Sequence, residues 1–277
     1  MALRIATNTQ SLSAQRYLHA NHESQNKALE RLSSGSRINR AGDDAAGMAI
    51  SEKLKSNIRS MKQATRNAND GVALIQTAEG SMNEISNILV RLRELSVQSS
   101  SDTISNTERA FVDKEVQNLK SEIDRIANST EFNGIRLLNG EASNLEIQVG
   151  IGNDAERDRF TYNTGENRTS LDALGIGDVS TISRENAQNN LSKLDFAITK
   201  LNENRSNLGA LQNRLYSSIN NMNIYRENLE GAYSRIRDTD MADETSELTK
   251  ANILAQAGLS VLSQANQNPQ LALKLLG

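Results

Sequence analysis

DDAAGMAISEKLKSNIRSMKQATRNANDGVALIQTAEGSMNEISNILVRLRELSVQS, residues 43–99, carries apolar side chains at Ile50, Leu54, Ile58, Met61, Ala68, Val72, Ile75, Met82, Ile85, Leu89 and Leu92. The steps are 3, 4 or 7 residues. That spacing marks a helix with one narrow buried stripe. Asp43 or Asp44 is a suitable N-cap, because a carboxylate accepts from the free N–H groups of the first turn. The pattern fails at Ser99-Ser100-Ser101-Asp102. At the helical rise per residue the segment is roughly 80 Å long, well beyond an ordinary globular helix. It predicts a rod.

Working outward, Val112, Val116, Leu119, Ile123 and Ile126 form a shorter stripe. It predicts a second helix folding back on the first and ending near Asn128. A third stripe holds Leu191, Leu194, Ile198, Leu201, Leu208, Leu215, Met222, Leu229 and Ile236. Helices are therefore expected over about 44–99, 105–128 and 184–236. Between the last two, Leu145 to Val149 alternates apolar and polar, as a strand does. Arg159 to Tyr162 is the candidate returning strand, and 139–177 is read as the one β-like region. The fold class is mainly α: a long antiparallel, coiled-coil-like helical rod with a small β-hairpin region and paired terminal helices.

The ends have helical patterns of their own. Ala14, Leu18, Gln25, Ala28 and Leu32 are helically spaced, and Gly35 is a C-cap able to take the left-handed conformation. On the C-terminal side Leu248, Ala251, Ala255, Leu259, Leu262 and Ala265 form a stripe, and Ile253, Ala257 and Val261 widen it. Asp238 and Asp240 stand in the linker before it. The expected division is 1–42, one half of a terminal helical domain with its linker; 43–236, the rod; and 237–277, the other half. A terminal pair built on alanine contacts buries little surface against a backbone ordering cost of roughly 1–2 kcal/mol per residue. Alone the ends should be mobile; packed on other copies they should order. The competing reading is that they simply pack on their own rod.

Composition supports long helices. Of 277 residues, 37% are hydrophobic but 3% aromatic, with no Trp and one Pro, Pro269. Lys and Arg number 31 against 34 Asp and Glu, a net charge of −3. No basic surplus marks a nucleic-acid groove or a lipid-binding run. With no Cys, disulfides and thiolate metal sites are excluded. No apolar run reaches the ~18 residues of a membrane span. Neither an apolar core nor a cleavage signal stands near the N-terminus, so any export is expected to proceed without a cleaved signal peptide. His19 and His22 share a helix face but lack further ligands for zinc. HExxH and phosphate-binding glycine motifs are absent. An enzyme, a metal and a cofactor are not expected. An amphipathic surface-binding protein would need wider apolar faces with basic flanks.

Several long segments resemble bacterial flagellins: LSSGSRINRAGDDAAGMAIS at 32–51, ANDGVALIQTAEGSMNEI at 68–85, EFNGIRLLNG at 131–140, and residues 234–276 almost throughout. The resemblance implies a filament subunit of the flagellum, extracellular and serving motility. It implies a short form without variable outer domains, since little chain separates Tyr162 from Ser183. A hook–filament junction protein is the alternative within that class. Polymerisation contacts are expected at Leu18, Leu32, Leu248, Ala251, Ala255, Leu259, Leu262 and Ala265. Implied partners are other subunits, an export chaperone over about Ala242 to Leu276, and the filament cap and hook-associated proteins. A host flagellin-sensing Toll-like receptor is also implied, with contacts at Arg91, Leu95 and Glu115.

Overall fold

The computed structural model describes residues 7–142 and 144–276, with side chains through 267. Its helices are α1 (Thr9–Ser34), α2 (Ala45–Ser99), α3 (Asn106–Ser129), α4 (Ala155–Asp158), α5 (Leu171–Leu174), α6 (Arg184–Arg237) and α7 (Met241–Leu276). The strands are β1 (Glu131–Phe132), β2 (Ile135–Arg136), β3 (Leu145–Gln148) and β4 (Arg159–Tyr162). Two compact units form: residues 59–226, and residues 1–58 with 227–277.

In the 59–226 unit, α2, α3 and α6 share one hydrophobic core. On α2, Ala68, Ile75, Met82 and Leu89 are buried seven apart, as are Ala64, Gly71, Ala78, Ile85 and Leu92 in the other half of the repeat. On α6 the buried residues Leu194, Leu201, Leu208, Leu215 and Met222 also recur every seven positions. Sustained heptads keep a seam facing its partner along the helices, which is coiled-coil packing. Exposed ion pairs span the antiparallel helices. Arg93 meets Asp195 at 2.6 Å, Arg184 meets Asp102 at 2.9 Å, and Arg91 meets Glu115 at 3.0 Å.

The turn between α2 and α3 is closed from both sides. Ser105 and Glu108 form a capping box at the start of α3, so two otherwise free N–H groups are satisfied reciprocally. The buried Arg109 donates to the Ser99 and Ser101 carbonyls at 2.9 and 2.7 Å, covering the exposed end of α2. Further along α3, the buried Lys120 ammonium donates to the Gly177 and Val179 carbonyls at 2.7 and 3.0 Å. Burial pushes the Lys120 pKa down. The two bonds hold the segment leading into α6.

β3 and β4 pair antiparallel from Leu145↔Tyr162 to Gln148↔Arg159. The hairpin lies close on α2. A β-carbon at Gly71 would stand 2.7 Å from Ile147 Cδ1, so the mid-helix glycine lets the hairpin's Ile147 approach closely. Asn67 donates to the Gln148 carbonyl at 3.1 Å. Tyr162 is fully buried, its hydroxyl on the Leu137 carbonyl at 3.0 Å.

Two expectations need correction. The 139–177 region is not the one β-like part: β1 and β2 form a second hairpin at 131–136. Its two-residue turn has Asn133 at φ 50° and Gly134 at φ 78°, the type I′ combination that Asn-Gly favours. Also, the α2 stripe does not begin at Ile50, which is 52% exposed. Over the first turns the buried positions are Gly47 and Ser51, and the apolar seam starts at Ile58.

Candidate assembly surface

In the unit that joins residues 1–58 and 227–277, α1 and α7 lie antiparallel. Asn8 donates to the Ala265 carbonyl at 2.8 Å, Ser11 to Asn266 at 2.9 Å and Gln25 to Asn252 at 2.7 Å, while Arg31 faces Glu244 at 3.6 Å. The side chains closed into the seam are small. They are Ser11, Ala14 and Ala28 on α1, and Ala251, Ala255 and Ala265 on α7. Leu18, Leu32, Leu248 and Leu262 are half-buried along its margins. Alanine contacts let two helices approach closely but remove little apolar surface from water.

The pair leaves several large apolar side chains open. On α7, Ile253, Leu254, Leu259 and Val261 are exposed, Ile253 by 61%. On α1, Leu12, Tyr17 and Leu29 are exposed. α7 thus carries large apolar side chains away from α1 as well as the alanines that meet it, and a contiguous apolar patch left in water marks an interaction surface. Of the expected polymerisation residues, Ala251, Ala255 and Ala265 are used within the chain and Leu259 stands free. Leu12, Tyr17, Leu29 and Leu254 are open residues that the stripes did not single out. Tyr17, Leu29 and Leu254 border the periodic faces at helical spacing, so periodicity does not say which of them stay open.

The linkers are tied to each other. Gly35 ends α1 in the left-handed conformation at φ 67°. Ser36 and Asp238 then form an isolated antiparallel bridge. Arg37 N–H donates to the Arg237 carbonyl at 2.6 Å, and Thr239 N–H to the Gly35 carbonyl at 3.1 Å. Arg237 reaches Glu52 at 2.8 Å and Ser51 at 3.3 Å. Asp240 caps α7, accepting from Ala242 N–H at 2.8 Å. The adjacent acids divide their work. Asp44 accepts from Gly47 N–H at 2.8 Å and caps α2. Asp43 accepts from Arg40 and Asn39 N–H at 3.0 and 3.2 Å, closing the linker turn. These backbone bonds, Arg40's first, hold the Asp43 carboxyl below its ordinary pKa.

Gly47, in the first turn of α2, packs tightly against this linker. A β-carbon there would stand 2.4 Å from Asp44 Oδ2 and 2.8 Å from Ile38 Cδ1, and Ile38 is 1% exposed. Gly47→Val is therefore expected to displace the cap and the buried isoleucine together. The expected loss is about 1–3 kcal/mol of stability in this unit. Denaturant unfolding of the dilute monomer checks it, with faster proteolysis at 36–44 as a local readout.

On the 59–226 unit, Arg91 bridges Glu94 and Glu115, each at 3.0 Å. Leu95, named with them as a receptor contact, is 2% exposed and belongs to the core. In this unit Leu95 lies one residue before the heptad position held by the buried Ser96, and the neighbouring apolar side chains that face outward are Val90 and Val97. His19 pairs with Glu23 and His22 with Gln25. Among the described residues no group of three or more potential metal ligands occurs, and no helix is long and apolar enough to cross a membrane.

Residues 5–143 match the model of the bacterial flagellin N-terminal helical region, and residues 191–276 that of the C-terminal helical region. A flagellin of Halalkalibacterium halodurans is 46% identical over 271 residues, covering 97% of this chain and 98% of the relative. A flagellar filament 33 kDa core protein of Treponema phagedenis is 41% identical over 280 residues, covering 97% and 98%. Among solved structures, the crystal structure of Bacillus cereus flagellin superposes with a TM-score of 0.51 at 35% identity, covering 57% of this chain and 88% of that one. Both family regions, in order, and relatives matched along nearly their whole length place this chain in the bacterial flagellin family, as a short subunit of the flagellar filament.

Proposed function

We propose that this chain polymerises by laying its α1–α7 pair against the pairs of neighbouring copies, outside the cell. One observation carries the reading: α7 closes its alanine face on α1 and keeps Ile253, Leu254, Leu259 and Val261 in water. An assembly of copies supplies the second cover. Long heptad-packed helices stiffen the polymer, which acts mechanically by transmitting torque.

The same open face on α7 suits an export chaperone that masks it before assembly, over about Ala242 to Leu276; the side chains from 268 lie outside the described residues. Filament cap and hook-associated proteins would meet the same elements at the two ends of the polymer. A host flagellin-sensing receptor would meet the Arg91–Glu115 bridge and the outward valines, since Leu95 is enclosed. Near-complete length matches to flagellins favour a filament subunit over a hook–filament junction protein.

The test is polymerisation seeded by filament fragments and followed by electron microscopy, comparing the full chain with one ending at residue 247. The expected result is filaments from the first and none from the second, with α2, α3 and α6 still helical by circular dichroism. Normal filaments from the shortened chain would remove the role given to α7.

A further inference from the structure

The segment EFNGIRLLNG carries two Asn-Gly steps, Asn133-Gly134 and Asn139-Gly140. Asn-Gly is chemically fragile. The glycine nitrogen, once deprotonated, attacks the asparagine Cγ, and glycine has no side chain to hinder it. Asparagine is among the thermolabile residues that hyperthermophilic proteins carry in smaller number. Two such steps in one short segment invite a comparison of their surroundings.

Those surroundings differ sharply. Asn133 is at the tip of the β1–β2 turn, and both it and Gly134 are exposed. Among the described residues, neither the Asn133 side chain nor the Gly134 N–H has a hydrogen-bond partner. Base and water therefore reach the nucleophile and the carbonyl that it attacks. Asn139 is half-buried and doubly held. Its Oδ1 accepts from Glu141 N–H at 3.0 Å and its Nδ2 donates to the Glu141 carboxylate at 2.7 Å. This is an Asx turn with a charge-assisted second bond. Gly140 also lies under the Arg168 side chain, where a β-carbon would stand 2.2 Å from Cδ.

We propose that Asn133 is a site of spontaneous deamidation in the folded protein, and that Glu141 protects Asn139 from the same reaction. The balance is complete without any redox partner. A bond forms between Gly134 N and Asn133 Cγ, the Cγ–Nδ2 bond breaks, and ammonia leaves with the proton lost by the peptide nitrogen. Water then opens the five-membered imide at either carbonyl, giving aspartate or isoaspartate. Either product adds one negative charge. Isoaspartate also lengthens the backbone by one methylene inside a two-residue turn whose register is fixed by Phe132↔Ile135. Leu137 and Leu138, just beyond, are fully buried, so the hairpin has little freedom to absorb the added length. Aged protein is therefore expected to split into charge variants and to lose order at 131–136 first.

Breaking both Asn139 bonds before attack slows that site by roughly tenfold or more. The experiment ages the full-length chain in mildly alkaline buffer at 37 °C and maps deamidation by peptide mass spectrometry. It is run natively, in concentrated urea, and with the Glu141→Ala variant. The expected native result is Asn133 converting at least ~10-fold faster than Asn139. In urea the two rates should converge, and Glu141→Ala should speed Asn139 in the folded chain. Asn139 keeping pace with Asn133 in native protein would overturn the proposal. So would an Asn133 that reacts in urea and stays intact in the fold. An unchanged Asn139 rate in Glu141→Ala would overturn the part given to that carboxylate.

Discussion

Replacing Ile253 and Val261 together by glutamate should leave a soluble, helical monomer that no longer assembles. Both side chains are mostly exposed on α7, by 61% and 58%, so the isolated fold loses little that it had buried. Surface changes of this kind normally move stability by less than about 0.5 kcal/mol. Assembly is a different matter. Each apolar side chain enclosed between copies contributes about 1.5–3 kcal/mol, and an unpaired carboxylate enclosed there costs more. The expected rise in critical concentration is roughly a thousandfold at least. Sedimentation of seeded mixtures reads it, with circular dichroism on the dilute monomer as the control. Filaments at the ordinary concentration would show that this face is not enclosed. Ala255→Glu supplies the contrast: it sits in the intrachain seam and should damage the α1–α7 pair before any assembly.

Much of this was legible in residue order. The heptad stripes and the Asp-Asp pair bounded α2 to within a residue or two, because period and capping are local properties. Long-range consequences were less legible. Ile50 fits the helical period as well as Ile58 does, yet only the second is buried. The difference depends on Ile38 and Arg237 approaching the start of α2, and no local pattern encodes that. The Asn-Gly of the β1–β2 turn is a hairpin signal, but its flanking strands of two residues each are too short to show an alternating pattern. Leu95 stands one residue before the heptad position held by the buried Ser96, so the repeat alone does not place it, and it is enclosed in the core of this unit where the resemblance implies an outward contact. On α7 the alanine stripe was visible, but which apolar row would face α1 was not. Both rows have helical spacing, and helix approach distance decided it: alanines allow the closer contact.

A last expected result separates folding from assembly by putting the same chemical change in two places. Leu201→Ala removes a fully buried side chain from the α6 seam. Lost transfer energy plus the cavity left behind should cost about 2–5 kcal/mol. In a unit of this size that lowers the unfolding midpoint of the dilute monomer by roughly 4–20 °C. Leu259→Ala removes the same atoms from a side chain that is 54% exposed, and should leave that midpoint almost where it was. In the polymer the ranking changes. Leu259→Ala should raise the critical concentration by about tenfold or more, because its burial arises between copies. Leu201→Ala, assayed well below its midpoint, should assemble nearly as the unaltered chain does. Calorimetry on monomer and sedimentation on seeded mixtures give the four readings. If Leu259→Ala lowered the monomer midpoint as far as Leu201→Ala, α7 would already be covered in the lone chain, and its open face could not be what drives copies together.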